Sequence, residues 1–122
     1  MPGNTPSNER RRAHRLAYRV TRFLKHEWTW EIRFVPLQTD ARLRRRLGFA
    51  TVVVGVLMED DEIILIDPTY EDFFGVLIHE CLHAIFPAKS EKEILKLEAL
   101  VRSHLTPRQA RSMLIWAANR LR

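Results

Sequence analysis

Cysteine is almost absent. Cys81 stands alone among 122 residues, so no internal disulfide can form, and a reducing cytoplasm is the expected compartment. No apolar run approaches the ~18 residues that cross a bilayer as a helix, so no membrane partner is expected. Met1 to Arg12 is polar and then basic, with no apolar stretch behind it; that is not the pattern of a secretory leader. Internal repeats and low-complexity tracts are missing too. What remains is a single domain over residues 1–122. Its apolar fraction of 46%, with three Trp and six Phe, suits a modest core rather than a disordered chain.

Acid is scarce at both ends. Residues 1–47 carry twelve Lys/Arg against four Asp/Glu, and residues 106–122 carry four Arg and no acid. Residues 48–105 reverse the balance, with four Lys/Arg against eleven Asp/Glu. A nucleic-acid grip more naturally uses one continuous basic face. Binding of nucleic acid through the arginine-rich ends is therefore a less favoured expectation.

The acidic middle holds His79-Glu80-Cys81-Leu82-His83. Residues four apart on a helix share a face, one turn of about 5.4 Å apart, so both imidazoles can reach one metal ion. The intervening Glu80 can then take a proton from a water on the ion's open side. Thr69 is a candidate cap, with Glu71 and Asp72 in the first turn. Phe73, Phe74, Leu77, Ile78, Cys81, Leu82 and Ile85 recur at spacings of three and four, and Pro87 stops the run. The spacing predicts a helix over about 69–86. In the plainer alternative, the histidines are ordinary half-buried helix residues and Glu80 is a surface charge.

The rest of the chain reads as a frame for this helix. Residues 1–7 form a loose arm, and Ser7 or Asn8 caps a first helix. Its apolar face is Ala13, Leu16, Ala17, Val20, Phe23 and Leu24, and its other face is arginine. Trp28–Leu37 alternates as a strand, with Pro36 at its end. Asp40 caps a short helix over Ala41–Leu47 that stops at Gly48. Thr51–Met58 and Glu62–Asp67 form a hairpin around Glu59-Asp60-Asp61, with Gly55 marking a bulge or a close backbone approach. Ser90 with Glu93, and Thr106 with Gln109, are capping boxes that open two last helices. The expected class is α+β, with a roughly three-stranded sheet and the motif helix beside a glutamate-bearing helix.

A catalytic zinc takes three protein ligands and keeps one position open. After His79 and His83, the short connection past Pro87 limits the third. A returning helix reaches the level of the histidines one to two turns after it starts, which favours Glu93, with Glu91 slightly early and Glu98 slightly late. A capping role would occupy the Glu93 carboxylate. His104 lies about 16 Å along the helix from Glu93, too far for the same ion. His14 and His26 belong to the basic first helix, where surface positions are expected. Tyr70 and His104 are the weak candidates for an oxyanion stabiliser.

Strand pair, H-E-x-x-H helix, short turn and glutamate-bearing helix together resemble the minimal gluzincin-type zincin metallopeptidases over about residues 50–105. Glu93-Ile94-Leu95-Lys96-Leu97 is similar to the glutamate-helix segment of ImmA/IrrE-like peptidases, although Leu95 and Lys96 stand where relatives often carry Asn or Asp. The run I-D-P…L-I-H-E-C-L-H-A-I-F-P also resembles small metallopeptidase-like proteins of phages and prophages. Lys89 replaces the third histidine of metzincins, which removes that branch. The resemblance implies zinc-dependent hydrolysis of a protein or peptide substrate, with Glu80 as general base and His79, His83 and Glu93 as ligands. Two alternatives remain: a metal-dependent hydrolase of RNA, and a non-catalytic DNA- or protein-binding module of a phage.

Overall fold

A computed structural model describes residues 5–27, 29–46 and 54–120. Among these the chain forms α1 (Pro6–His26), β1 (Glu31–Phe34), α2 (Ala41–Arg46), β2 (Gly55–Met58), β3 (Ile63–Ile66), α3 (Phe73–Ile85), α4 (Glu91–His104) and α5 (Pro107–Ala118). This is the α+β arrangement expected from the pattern.

Helix α1 starts earlier than Ser7 or Asn8. Thr5 is its cap, with Oγ1 accepting from Asn8 N at 3.2 Å. Pro6, which has no N–H to satisfy and a preset φ, takes the first helical position. Residues 5–7 are thus tied into the helix rather than into a loose arm; residues 1–4 lie outside the described residues. All six expected apolar positions of α1 are buried. Arg120, after α5, closes the other end: Nε donates to Leu24 O at 2.6 Å, and the guanidinium reaches Phe23 O and Trp30 O. A cation on the last carbonyls of a helix meets the negative end of its dipole.

The sheet order is β1-β3-β2, with β3 central. β1 runs parallel to β3, and β2 pairs with it antiparallel as the hairpin. Within the described residues β1 is shorter than the expected strand, because the ladder extends only as far as β3 does. Val35 N still donates to Ile66 O at 2.9 Å, and Pro36 then has no donor to offer. The expected strand start at Trp28, the Gly48 stop and the start of the second strand at residues 51–53 lie outside the described residues. In the hairpin turn Glu62 adopts φ 54°, the left-handed region.

Past β3, the fully buried Asp67 accepts from Gln38 N at 2.7 Å, Thr69 N at 2.9 Å and Thr69 Oγ1 at 2.6 Å. Burial works to raise its pKa, but these donors hold it below the usual carboxylate value. Thr69 is thereby engaged with Asp67 and does not cap α3. The cap is Asp72, whose Oδ1 accepts from Gly75 N at 3.3 Å, so the helix begins four residues later than the spacing suggested. Helix α3 packs on β2 and β3 with one side and on α1 and α4 with others, and α5 closes over α1. Leu77, Ile78, Cys81 and Leu82 of α3 meet Ile64 and Ile66 of the sheet, Val20 and Leu24 of α1, and Ile94 and Val101 of α4 in one core. Burial, then the nearby Glu80 charge, pushes the Cys81 thiol up, so it stays protonated and inert.

Candidate metal centre

His79 and His83 lie one turn apart on α3, with ring centroids 4.9 Å apart. The turn Pro87–Ser90 brings α4 back alongside, and its first residue, Glu91, meets both rings. Glu91 Oε1 is 2.6 Å from His79 Nε2, and both Glu91 oxygens are 3.4 Å from His83 Nε2. One ligand atom from each of these residues falls within 4.8 Å of the others. In a tetrahedral zinc site, bonds of 2.0–2.2 Å place ligand atoms about 3.4 Å apart. The His83–Glu91 separation already has that length. The His79–Glu91 contact is an ion pair and would open by about 1 Å around an ion. Glu91 is 63% exposed and has the freedom to make that move. Two imidazoles and a carboxylate are a donor set that suits zinc.

Glu93 is not part of this group. Its Oε1 accepts from Ser90 N at 3.2 Å and Ser90 Oγ at 3.1 Å, while Ser90 Oγ accepts from Glu93 N. The backbone donor, then the hydroxyl, lowers its pKa. The expectation placed the third carboxylate one to two turns into α4. Helix α3 ends at Ile85, only two residues after His83, so the level of the imidazoles corresponds to the very start of α4.

Glu98 takes a different place from a third ligand. Its Oε1 accepts from His79 Nδ1 at 2.8 Å, on the far side of the ring from Glu91. Burial works against its ionisation, yet hydrogen bonds from His79 and Arg102 outweigh that and keep its pKa low. Arg102 Nη1 donates to Glu98 Oε2 at 3.1 Å, and the same guanidinium grips Asp72 through two bonds of 2.7 and 2.9 Å. A relay thus runs from the cap of α3 through Arg102 and Glu98 to His79. Carboxylates face both nitrogens of His79. Its pKa is raised, first by the Glu98 bond and then, against the cost of burial, by Glu91 and Glu80. Gly75 makes room for the relay: a Cβ there would stand 2.6 and 2.8 Å from the Asp72 carboxylate oxygens and press on Arg102.

Glu80 is 9% exposed and faces the cleft beside the histidines. Burial raises its pKa to about 7; the His79 charge pulls it down, and Glu91 and Glu98 push it up. The cleft holds about 360 Å³ and is walled by Val54, Gly55, Tyr70, Val76 and the acidic group. Gly55 is a close-approach glycine. A Cβ there would strike Val76 Cγ1 and lie 3.6 Å from Glu80 Cγ, so the missing side chain lets β2 pass directly over the site. Among the described residues β2 is an outer strand, with its far edge unpaired.

Comparison of the chain with family models, curated proteins and solved structures finds no match. The site is therefore read from its own geometry. Of the two candidate oxyanion residues, Tyr70 lines the cleft. His104 ends α4, and its carbonyl faces His14 Nε2 at 3.3 Å. That contact leaves His14 half-buried rather than on the surface, while His26 is exposed. The relay through Glu98 escaped sequence reasoning. Its one local signal was the four-residue spacing of Glu98 and Arg102, which marks a helix-surface pair without saying what else it holds.

Proposed function

We propose that this protein is a cytoplasmic zinc-dependent metallopeptidase, with His79, His83 and Glu91 holding the ion and Glu80 acting as general base and acid. The observation that carries this reading is a buried carboxylate, Glu80, beside three convergent donor groups, one of which is oriented from behind by Glu98. Zinc bound there would supply a Lewis acid for the scissile carbonyl and bring the pKa of a water toward 7.

The chain's own residues do the rest. Glu98 accepts a hydrogen bond from the Nδ1–H of His79, which leaves Nε2 as the nitrogen that would hold the ion; a carboxylate in that place also makes the imidazole a better donor. Arg102 and Asp72 fix Glu98 in turn. Glu80 accepts a proton from the nucleophilic water and passes it to the departing amine nitrogen. The outer edge of β2 offers backbone N–H and C=O groups beside the cleft, where an extended peptide can add as a strand. Tyr70, which lines the cleft, is the candidate donor to the oxygen that gains charge.

The cleft disfavours RNA as the hydrolysed substrate. Asp72, Glu80, Glu91 and Glu98 all line it, and a phosphodiester would meet net negative charge at short range. The test is hydrolysis of an unstructured protein and of RNA by one zinc-loaded sample, with Glu80→Gln alongside. The reading expects protein cleavage that chelation abolishes, and a variant that binds zinc but does not cleave. An equally active Glu80→Gln variant, or a protein that takes up no zinc, would overturn it.

A further inference from the structure

A second cleft, of about 500 Å³, lies where the C-terminal half of α1 meets the end of α3, and it shares no lining residue with the first. Arg19 and Arg22 contribute its cations, His26 an imidazole, and Tyr18, Phe23 and Trp30 its rings; Glu27 is the acid among the lining residues. Tyr18 is 63% exposed, so its ring stands open to solvent at the cleft. Phe23 and Trp30 pack together with centroids 5.7 Å apart, which braces the indole at the cleft wall. The Arg19 guanidinium lies 4.6 Å from the Phe86 ring centroid, which holds it at the rim.

The cleft continues a stripe. At 100° per residue, Arg11, Arg12, Arg15, Arg19, Arg22 and His26 fall within a sector of about 100°, beside the buried face of α1 and clear of it. They run for about 22 Å at 1.5 Å per residue. All six are exposed. Among the described residues none of the six lies in an ion pair, whereas Lys89, Arg33 and Arg102 all do. Cations that are only solvated gain nothing from sharing one side of a helix, and their mutual repulsion opposes it. A polyanion lying along the stripe reverses that sign by releasing its own counterions.

We propose that this face binds single-stranded nucleic acid, with Arg12, Arg15, Arg19 and Arg22 along its phosphates and Tyr18 and Trp30 stacking on its bases. The rings decide between polyanions. A duplex hides its base faces, and an acidic peptide has no flat ring system to match two aromatic side chains set among arginines; unpaired bases do. The binding is independent of sequence, because every base has a face to stack. The acidic cleft plays no part in it.

Fluorescence anisotropy of a labelled oligothymidylate of about 15 nucleotides, titrated with the full chain, tests the proposal. About four neutralised phosphates give a log–log salt slope near −3, an affinity loss of roughly fiftyfold between about 50 and 200 mM salt. Arg15→Glu with Arg19→Glu should abolish binding at the higher salt. Tyr18→Ala should weaken it about tenfold with an unchanged melting temperature, as befits an exposed ring. Glu80→Gln should bind as the native chain does, which keeps this result separate from the fate of the peptidase reading. No binding at low salt, equal affinity for a duplex of the same length, full displacement by polyglutamate at matched charge, or an unaffected Tyr18→Ala variant would each overturn it.

Discussion

The two clefts flank one helix and use opposite chemistry. On one side of α3, histidines and carboxylates interlock at 2.6 to 3.4 Å, and each charge has a partner. On the other side, arginines and aromatic rings stand open along α1. The difference teaches that the net charge of +5 describes neither region. Segregation costs little here because the screening length at physiological salt is about 8 Å. In the proposed reading, the self-contained cluster holds something small in fixed geometry. The open stripe has no internal geometry of its own and is suited to something long.

The sharpest way to break this contrast is Glu80→Gln. Cleavage by the zinc-loaded protein should fall by about 10³-fold while zinc uptake persists, as read by peptide hydrolysis beside metal analysis. Next in size is a pH effect on the metal-free protein. The folded pKa of Glu80, about 7, is above its unfolded value of 4.5. Its folded state therefore binds the proton more tightly, and stability falls as pH rises from about 4.5 through 7. His79, also raised, adds stability below 6.5 that is lost as pH climbs through its folded value. Glu80→Gln should accordingly stabilise the metal-free protein by about 2–3 kcal/mol at pH 8 and by almost nothing at pH 4, measured by urea unfolding.

Glu98→Gln comes third. Loss of a charged acceptor behind His79 should weaken zinc about 10- to 100-fold in a competitive chelator titration. Glu93→Ala sharpens the same point from the other side: it should leave zinc affinity unchanged and cost about 1 kcal/mol of stability, the usual size of a lost cap. If Glu93 rather than Glu91 controlled zinc affinity, the ligand assignment would be reversed. The smallest effect belongs to the open stripe. Arg12→Gln should alter stability by less than about 0.5 kcal/mol, since the side chain has no ion-pair partner among the described residues. A larger loss would mean that the stripe serves the fold.

Much of this was legible in the sequence because it is local. The one-turn spacing of His79 and His83, the Ser90–Glu93 and Thr106–Gln109 boxes and the buried face of α1 depend on residues within a few positions of each other. What was not legible depends on where elements stop. Glu91 replaces Glu93 because α3 ends two residues after His83, and that end is set by packing. Thr69 loses the cap of α3 to Asp72 because a buried Asp67, reaching Gln38 from the neighbouring loop, already holds it. β1 is shorter than its expected run because ladder length belongs to the pair. The role of Glu98 needed α4 folded back on α3, and no single-helix pattern contains that.

Arg102 has a consequence of its own. It clasps the residue that caps α3 with one part of its guanidinium and Glu98 with another, so the order of the first turn of α3 and the aim of His79 are not separate properties. Filling the centre should slow amide hydrogen exchange at Gly75 and Val76, well outside the ligand set, and loosening that turn should speed the ion's departure.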